Sequence, residues 1–338
     1  MTVLSEAEVR AGLLIEILQE EAEEQGLEVP EPPAGARTWA ESAIREYFKS
    51  CGKVLPAKAA RIAPADPAVF AKWFPGLELS KTACAQPRLR VLCFPNAGSA
   101  EDMYTSEGTG VRKAPSPLLD WCRANSAECL AVQPPGRNGR AKEAFITTAQ
   151  ELGQQVLQVV GSKLYDVPYV IVGHSVGTWV AYEFLCAARQ QGLPMPRHAF
   201  LSGFASPDLP EVQRPWRQQR LLGEQDFKDE CREWDVNEIV FSNAMWGMYQ
   251  PIMRADFTIF DEYCFTHQGE CRFTFPVTTF YGTRDRKIQQ WMVEGWQKFT
   301  AGPFICHRVE GNHLWPLDKD AKKGWLQTIA DEVVSLEL

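Results

Sequence analysis

Residues 167–184, "VPYVIVGHSVGTWVAYEF", constrain the possible fold of this chain more than any other stretch. A β-branched apolar run leads into Gly173-His174-Ser175-Val176-Gly177, and the helix-compatible run "GTWVAYEFLCAARQQ" leaves it. A strand that turns at once into a helix through G-x-S-x-G presents its serine at the apex of a sharp turn, and the two glycines relieve crowding there. The pattern predicts an exposed nucleophile at the carboxyl end of a strand in an α/β sheet.

The surrounding sequence has the rhythm such a sheet needs. Strand-like runs fall near residue 91 ("RVLCF") and at 128–133, 169–173, 198–204, 277–282 and 304–309, with helical stretches at 143–163, 176–191, 287–299 and 321–336. This alternation predicts the α/β class: a mainly parallel sheet flanked by helices. Residues 208–270 break the rhythm with "VQRPWRQQRLLGEQDFKDECREW" and the Trp/Met/Phe-rich "FSNAMWGMYQPIMRADFTIF". An apolar helical insertion between two strands is what a lid over a pocket looks like.

Residues 1–85 read as an N-terminal helical extension, and 86–338 as the α/β domain. A helix starts near Ser5, with Ser5 and Glu8 spaced as a capping box. Val9, Leu13, Leu14, Ile17 and Leu18 form its apolar stripe, and Gly26 suits its exit. A second helix is expected from Thr38, with Glu41 three residues on, to near Gly52. Phe70, Trp73 and Phe74 in "APADPAVFAKWFPG" are placed to anchor the segment. The extension either packs on the main domain or docks a partner.

A net charge of -8 with no long Lys/Arg-rich block argues against nucleic acid as a partner. No apolar run is long enough to span a bilayer, and "MTVLSEAEVR" reads as neither a secretory signal nor a transit peptide. A cytoplasmic monomer is expected, or an organellar one if a targeting segment precedes this sequence. The ten cysteines show no C-x-x-C pairing, so free thiols in a reducing compartment are expected, with no metal and no cofactor.

A serine nucleophile needs a base, an acid to orient it, and donors for an oxyanion. His313 in "VEGNHLWPL" follows the last strand, and Asp285 in "FYGTRDRK" follows the one before it. Ser175, Asp285 and His313 thus fall in the chain order of α/β-hydrolases. Asp208 is the alternative acid, one strand earlier. His198, His267 and His307 read as core or surface residues, and His174 as pointing away from the nucleophile. Oxyanion donors are expected from Val176 and from Asn96 and Ala97 in "CFPNAGSA", with Gly98 letting the backbone approach a ligand.

Six motifs, "LCFPNAGSA", "VQPPGRNGR", "GHSVGTWVAYE", "LSGFASP", "FYGTRDRK" and "EGNHLWPL", occur in the order and spacing of type II thioesterases. The chain resembles these α/β-hydrolases of polyketide, non-ribosomal peptide and fatty acid synthesis over about residues 88–336. The resemblance implies hydrolysis of an acyl thioester on the phosphopantetheine arm of an acyl or peptidyl carrier protein, beneath a helical lid. Val176 stands where the family often has methionine. Trp179, bulkier than usual in the nucleophile helix, is expected to narrow the acyl channel. Arg214, Arg217 and Arg220 in "RPWRQQR" offer a basic patch for a carrier. An oxygen-ester hydrolase with the same triad and a non-catalytic α/β-hydrolase scaffold are the other readings.

Overall fold

The computed structural model describes residues 6–24, 27–28, 36–38, 40, 43–45, 53–54, 63, 65–109 and 113–336. The chain divides into two compact units, residues 1–62 with 188–194 and residues 63–187 with 195–338.

In the smaller unit a helix spans Glu6–Glu24. Ala11 and Ile44 are buried, with Leu14, Ile15 and Leu18 packed against them. Val9, Leu13 and Ile17, from the same expected stripe, remain exposed. Leu27–Glu28 and Lys53–Val54 pair antiparallel. Thr38 closes a 3-10 turn rather than opening a helix, and helical hydrogen bonding resumes where Ala43 and Ile44 donate to the Ala40 carbonyl. The expected helix ends at Ser5, Gly26 and Gly52, and Glu41, lie outside the described residues.

The larger unit holds six strands: β1 Leu89–Phe94, β2 Ala127–Ala131, β3 Tyr169–His174, β4 His198–Ser202, β5 Val277–Gly282 and β6 Phe304–Val309. They lie in the order β2-β1-β3-β4-β5-β6, and every pairing is parallel. Every residue of β1–β4 is buried, which is why these strands are near-continuous apolar runs rather than alternating ones. The edge strand β6 has only Val309 buried, the rest being half-buried or exposed. All six strands fall where the sequence places them.

The principal helices that follow in the chain are α1 Pro117–Ala124, α2 Ala149–Val160, α3 Gly177–Gln190 (all but its last turn in this unit), α4 Glu224–Glu233, α5 Asn243–Asp261 and α6 Lys319–Val334. Side-chain caps set several starts. Thr148 accepts from the Glu151 amide, so α2 begins at Ala149 and not near 143. The helix expected over 287–299 begins at Gln290, because the Asp285 carboxylate takes the Lys287 and Ile288 amides. Phe70, Trp73 and Phe74 are buried; the Trp73 carbonyl accepts from the Gln133 amide, and Arg140 lies over the Trp73 ring at 3.9 Å. The nine cysteines among the described residues are free thiols, and Cys93 and Cys129 keep their sulfurs 4.0 Å apart. Cys51 lies outside the described residues.

β2 lies on one side of β1 and all later strands on the other, so the carboxyl ends of β1 and β3 flank the point where the strand order reverses. In open α/β sheets that crevice takes the ligand. Here it is bordered by the Asn96–Ala97 turn after β1 and by Ser175 after β3. The chain between β4 and β5 carries α4 and α5 with short 3-10 turns and contributes no strand to the sheet.

Candidate active site

Ser175 occupies the left-handed region at φ +54°, a conformation that non-glycine residues hold only when their surroundings fix it. Its amide donates to the Ser202 carbonyl at 2.8 Å, and its own carbonyl accepts from the Thr178 amide at 2.9 Å. Strand β4 thus holds the turn from below and α3 from above. Gly177 lets α3 begin hard against β1: a Cβ there would lie 2.4 Å from the Phe94 carbonyl oxygen and 2.6 Å from that of Pro95.

His313 lies in the loop after β6, with Nε2 at 2.9 Å from Ser175 Oγ and Nδ1 at 2.7 Å from Asp285 Oδ2. A carboxylate only accepts, so Nδ1 carries the proton and Nε2 offers its lone pair to the serine hydroxyl. The other carboxylate oxygen, Asp285 Oδ1, accepts from the Lys287 and Ile288 amides at 3.0 and 2.9 Å. Serine, histidine and aspartate from three separate strand ends form one hydrogen-bonded chain, with all three residues buried.

The backbone of His313 is held from two directions. Its carbonyl accepts from His174 Nε2 at 3.0 Å, and its amide donates to Asp235 Oδ2 at 3.0 Å. The His174 ring thus grips the His313 loop and packs against Trp315 and Trp325. Burial holds the His174 imidazole well below its ordinary range, so it is neutral and carries its proton on Nε2. Trp234, beside Asp235 in the insertion, sets its ring edge-on to His313 at 4.7 Å.

The Val176, Asn96 and Ala97 amides donate to no protein acceptor among the described residues. The Asn96 side chain donates instead to the Ala97 carbonyl at 2.9 Å. Gly98, at φ +76°, spends its amide on Asp256 Oδ2 at 2.7 Å, so α5 and not an open ligand space approaches it. Asp256 also takes both terminal nitrogens of buried Arg137 at 2.5 Å, and Arg137 reaches the Ser99 carbonyl at 3.0 Å. A narrow cleft opens over Ser175, His313, Asn96 and Ala97, walled by Trp234, Val236, Met253, Phe257, Phe260 and Leu314. A second, narrow cavity shares Asn96 and is lined by Pro134, Pro135, Ile146, Leu152, Val180 and Ile259, among others.

Several expected residues sit elsewhere. Trp179 is fully buried, donates to the Ala205 carbonyl at 2.8 Å, and packs against Phe204 and Tyr263; it lines neither cavity. The inward face of α3 carries it into an aromatic cluster, so it does not narrow an acyl channel. Asp208 is engaged by Ser206 and Lys298, away from His313. The arginines of "RPWRQQR" bond within the insertion, Arg214 to the Leu209 and Tyr263 carbonyls, Arg217 to Glu230 and Arg220 to Glu262, while the Arg217 and Arg220 side chains stay exposed. Beside Asp285, Arg286 pairs with Asp235 while staying half exposed, and buried Lys287 pairs with Glu230, both partners lying in the insertion. His198 and His307 contact Glu332. His267 lies with Cys186 and Glu270 in a group of possible metal ligands, but its two ring nitrogens already face Glu183 and Glu270.

A serine at a strand–helix elbow of a parallel sheet, with histidine and aspartate in later strand-end loops, defines the α/β-hydrolases. Within that class the chain belongs to the thioesterase domain family, whose model matches residues 90–332. Gramicidin S biosynthesis protein GrsT of Aneurinibacillus migulanus is 27% identical over 248 residues, 72% of this chain and 88% of that protein. Thioesterase PikA5 of Streptomyces venezuelae is 25% identical over 233 residues, 68% and 76% of the two. Among solved structures, the thioesterase RedJ from the prodiginine pathway in Streptomyces coelicolor aligns with a TM-score of 0.63 at 25% identity, covering 73% of this chain and 87% of RedJ. The chain is a hydrolase of acyl thioesters. Among the described residues no helix is long and apolar enough to cross a membrane.

His174, Asp235 and the Arg137–Asp256 pair were not singled out from sequence. Asp256 did leave a signal, as a lone acid in the apolar run "PIMRADFTIF", since such a residue needs a buried partner. Replacing Asp256 with alanine leaves Arg137 charged and unpaired, and should cost about 3–5 kcal/mol in denaturant unfolding. His174 gives a pH signature. The unfolded chain binds a proton below about pH 6.5 that the folded chain refuses, so this contribution to stability is present above that pH and lost as pH falls. The urea midpoint should drop between pH 7 and 5.5, and drop less in His174→Gln.

Proposed function

We propose that Ser175, His313 and Asp285 carry out the hydrolysis, acting on acyl chains borne by the phosphopantetheine arm of a carrier protein. The observation behind this reading is that the two ring nitrogens of His313 bridge Ser175 Oγ and Asp285 Oδ2 at 2.9 and 2.7 Å. His313 Nε2 takes the hydroxyl proton as Oγ attacks the thioester carbonyl. The oxyanion meets the Val176 amide and the amides of the Asn96–Ala97 turn, and Asp285 stabilises the imidazolium. The carbon–sulfur bond breaks, the thiol leaves with the proton from Nε2, and an acyl-serine remains. Water attacks that ester with His313 again as base, releasing the acid and restoring the serine.

A thioester suits this site because thiolate leaves with little acid assistance. The apolar cleft, walled largely by the insertion, fits an acyl chain, and the insertion acts as its lid. The carrier is supported by the company the chain keeps: relatives named for gramicidin S biosynthesis and for fatty acid synthase thioesterase, and a structural neighbour from a prodiginine pathway. A cytoplasmic location accords with such a partner.

Ser175→Ala should lower turnover of an acyl-pantetheine thioester by at least about a thousandfold while leaving the unfolding midpoint unchanged. The wild-type enzyme should prefer that thioester to the matched oxygen ester in kcat/KM. Unchanged turnover in the variant would remove the serine from the mechanism, and a reversed preference would make the protein an oxygen-ester hydrolase.

A further inference from the structure

The insertion between β4 and β5 does more than wall the cleft. Asp235 stands within the insertion, at the end of the turn that follows α4, with φ +62°. Its side chain is about 10% exposed and both carboxylate oxygens are used. Oδ2 accepts the His313 amide at 3.0 Å, and Oδ1 accepts Arg286 Nη2 at 2.6 Å and Nε at 3.1 Å. Arg286 directly follows Asp285, which holds the other side of the same histidine. Asp235 therefore closes a ring: Asp285 fixes the imidazole, Asp235 fixes its peptide, and Arg286 ties the two acid-bearing loops together. Trp234 and Val236, on either side of Asp235, line the cleft, whereas Asp235 does not.

We propose that Asp235 is a positioning residue that makes the geometry of the general base depend on the insertion being seated. This rests on the reading of Ser175, His313 and Asp285 given above. The loop after β6 is tied to the loop after β5 by the Arg284 amide on the Gly311 carbonyl and to the core by buried Trp315, while the His313 peptide itself has one anchor from the sheet, His174, and one from the insertion, Asp235. With the insertion seated, Nε2 is aimed at Ser175 Oγ. With it displaced, the His313 amide loses its acceptor and the Trp234 ring leaves the imidazole. The base is then fully ordered only when the acyl cleft is walled, so acyl transfer to Ser175 is coupled to closure over the chain. Displacement of a reacting group by about 1 Å costs roughly a hundredfold in rate, so a single hydrogen bond can carry this coupling.

The backbone conformation of Asp235 supplies clean variants. Glycine and asparagine both tolerate the left-handed region, so Asp235→Gly removes the carboxylate without straining the turn, and Asp235→Asn keeps an oxygen for the His313 amide. The readouts are the rate of Ser175 labelling by a fluorophosphonate and steady-state kinetics on a small acyl-pantetheine thioester. Asp235→Gly should slow labelling and kcat together by about ten- to a hundredfold, with KM within about twofold of wild type because the residue does not touch the cleft. Asp235→Asn should recover both rates to within about threefold of wild type, the amide oxygen replacing the acceptor. Labelling of Asp235→Gly at the wild-type rate, a loss confined to KM, or no recovery in Asp235→Asn would overturn the proposal. Absence of labelling at Ser175 in the wild-type enzyme would instead overturn the nucleophile assignment on which it rests.

Discussion

The close approach of α3 to the end of β1 is the constraint on which the rest of the site depends. Only glycine fits at 177, where a side chain would run into the Phe94 and Pro95 carbonyl oxygens. That contact sets the start of α3 against the end of β1, with Ser175 in the turn between β3 and α3. The left-handed backbone at Ser175 is tolerated because the Ser202 carbonyl and the first turn of α3 fix it. The sheet order then does the remaining work, because β5 and β6 deliver Asp285 and His313 to the same edge.

Two loops and a helical insertion meet at that edge through carboxylates. Asp285 spends one oxygen on His313 and the other on the backbone of its own loop. From the insertion, Asp235 reaches the His313 amide and Asp256 reaches the Gly98 amide in the turn after β1. The insertion thus grips both sides of the cleft it walls. Buried charges are costly unless fully paired, and Asp256 meets that condition with two bonds to Arg137 and one to Gly98.

The strands, the elbow and the three residues of the hydrogen-bonded chain were legible because each depends on local pattern and chain order. Continuous apolar runs mark strands buried on both faces, and G-x-S-x-G marks the turn between strand and helix. Contacts between the insertion and the sheet were not legible. Asp235 sits in "REWDVN" with no periodicity to distinguish it, and its role depends on a fold-back that no local signal encodes. Trp179 shows the opposite error. Its size suggested a channel wall, but helix phase decides which way a side chain faces, and α3 turns it into the aromatic cluster with Phe204 and Tyr263. The arginines of "RPWRQQR" read as a free basic patch because their acidic and carbonyl partners are distant in sequence, from Glu230 to Tyr263.

Rapid quenching of the enzyme with an acyl-pantetheine thioester, followed by peptide mass spectrometry, addresses the chemistry most directly. A covalent acyl adduct on the peptide containing Ser175, formed and lost at rates consistent with turnover, is the predicted result. Turnover with no adduct at Ser175, or with the adduct on another residue, would contradict acyl transfer to this serine.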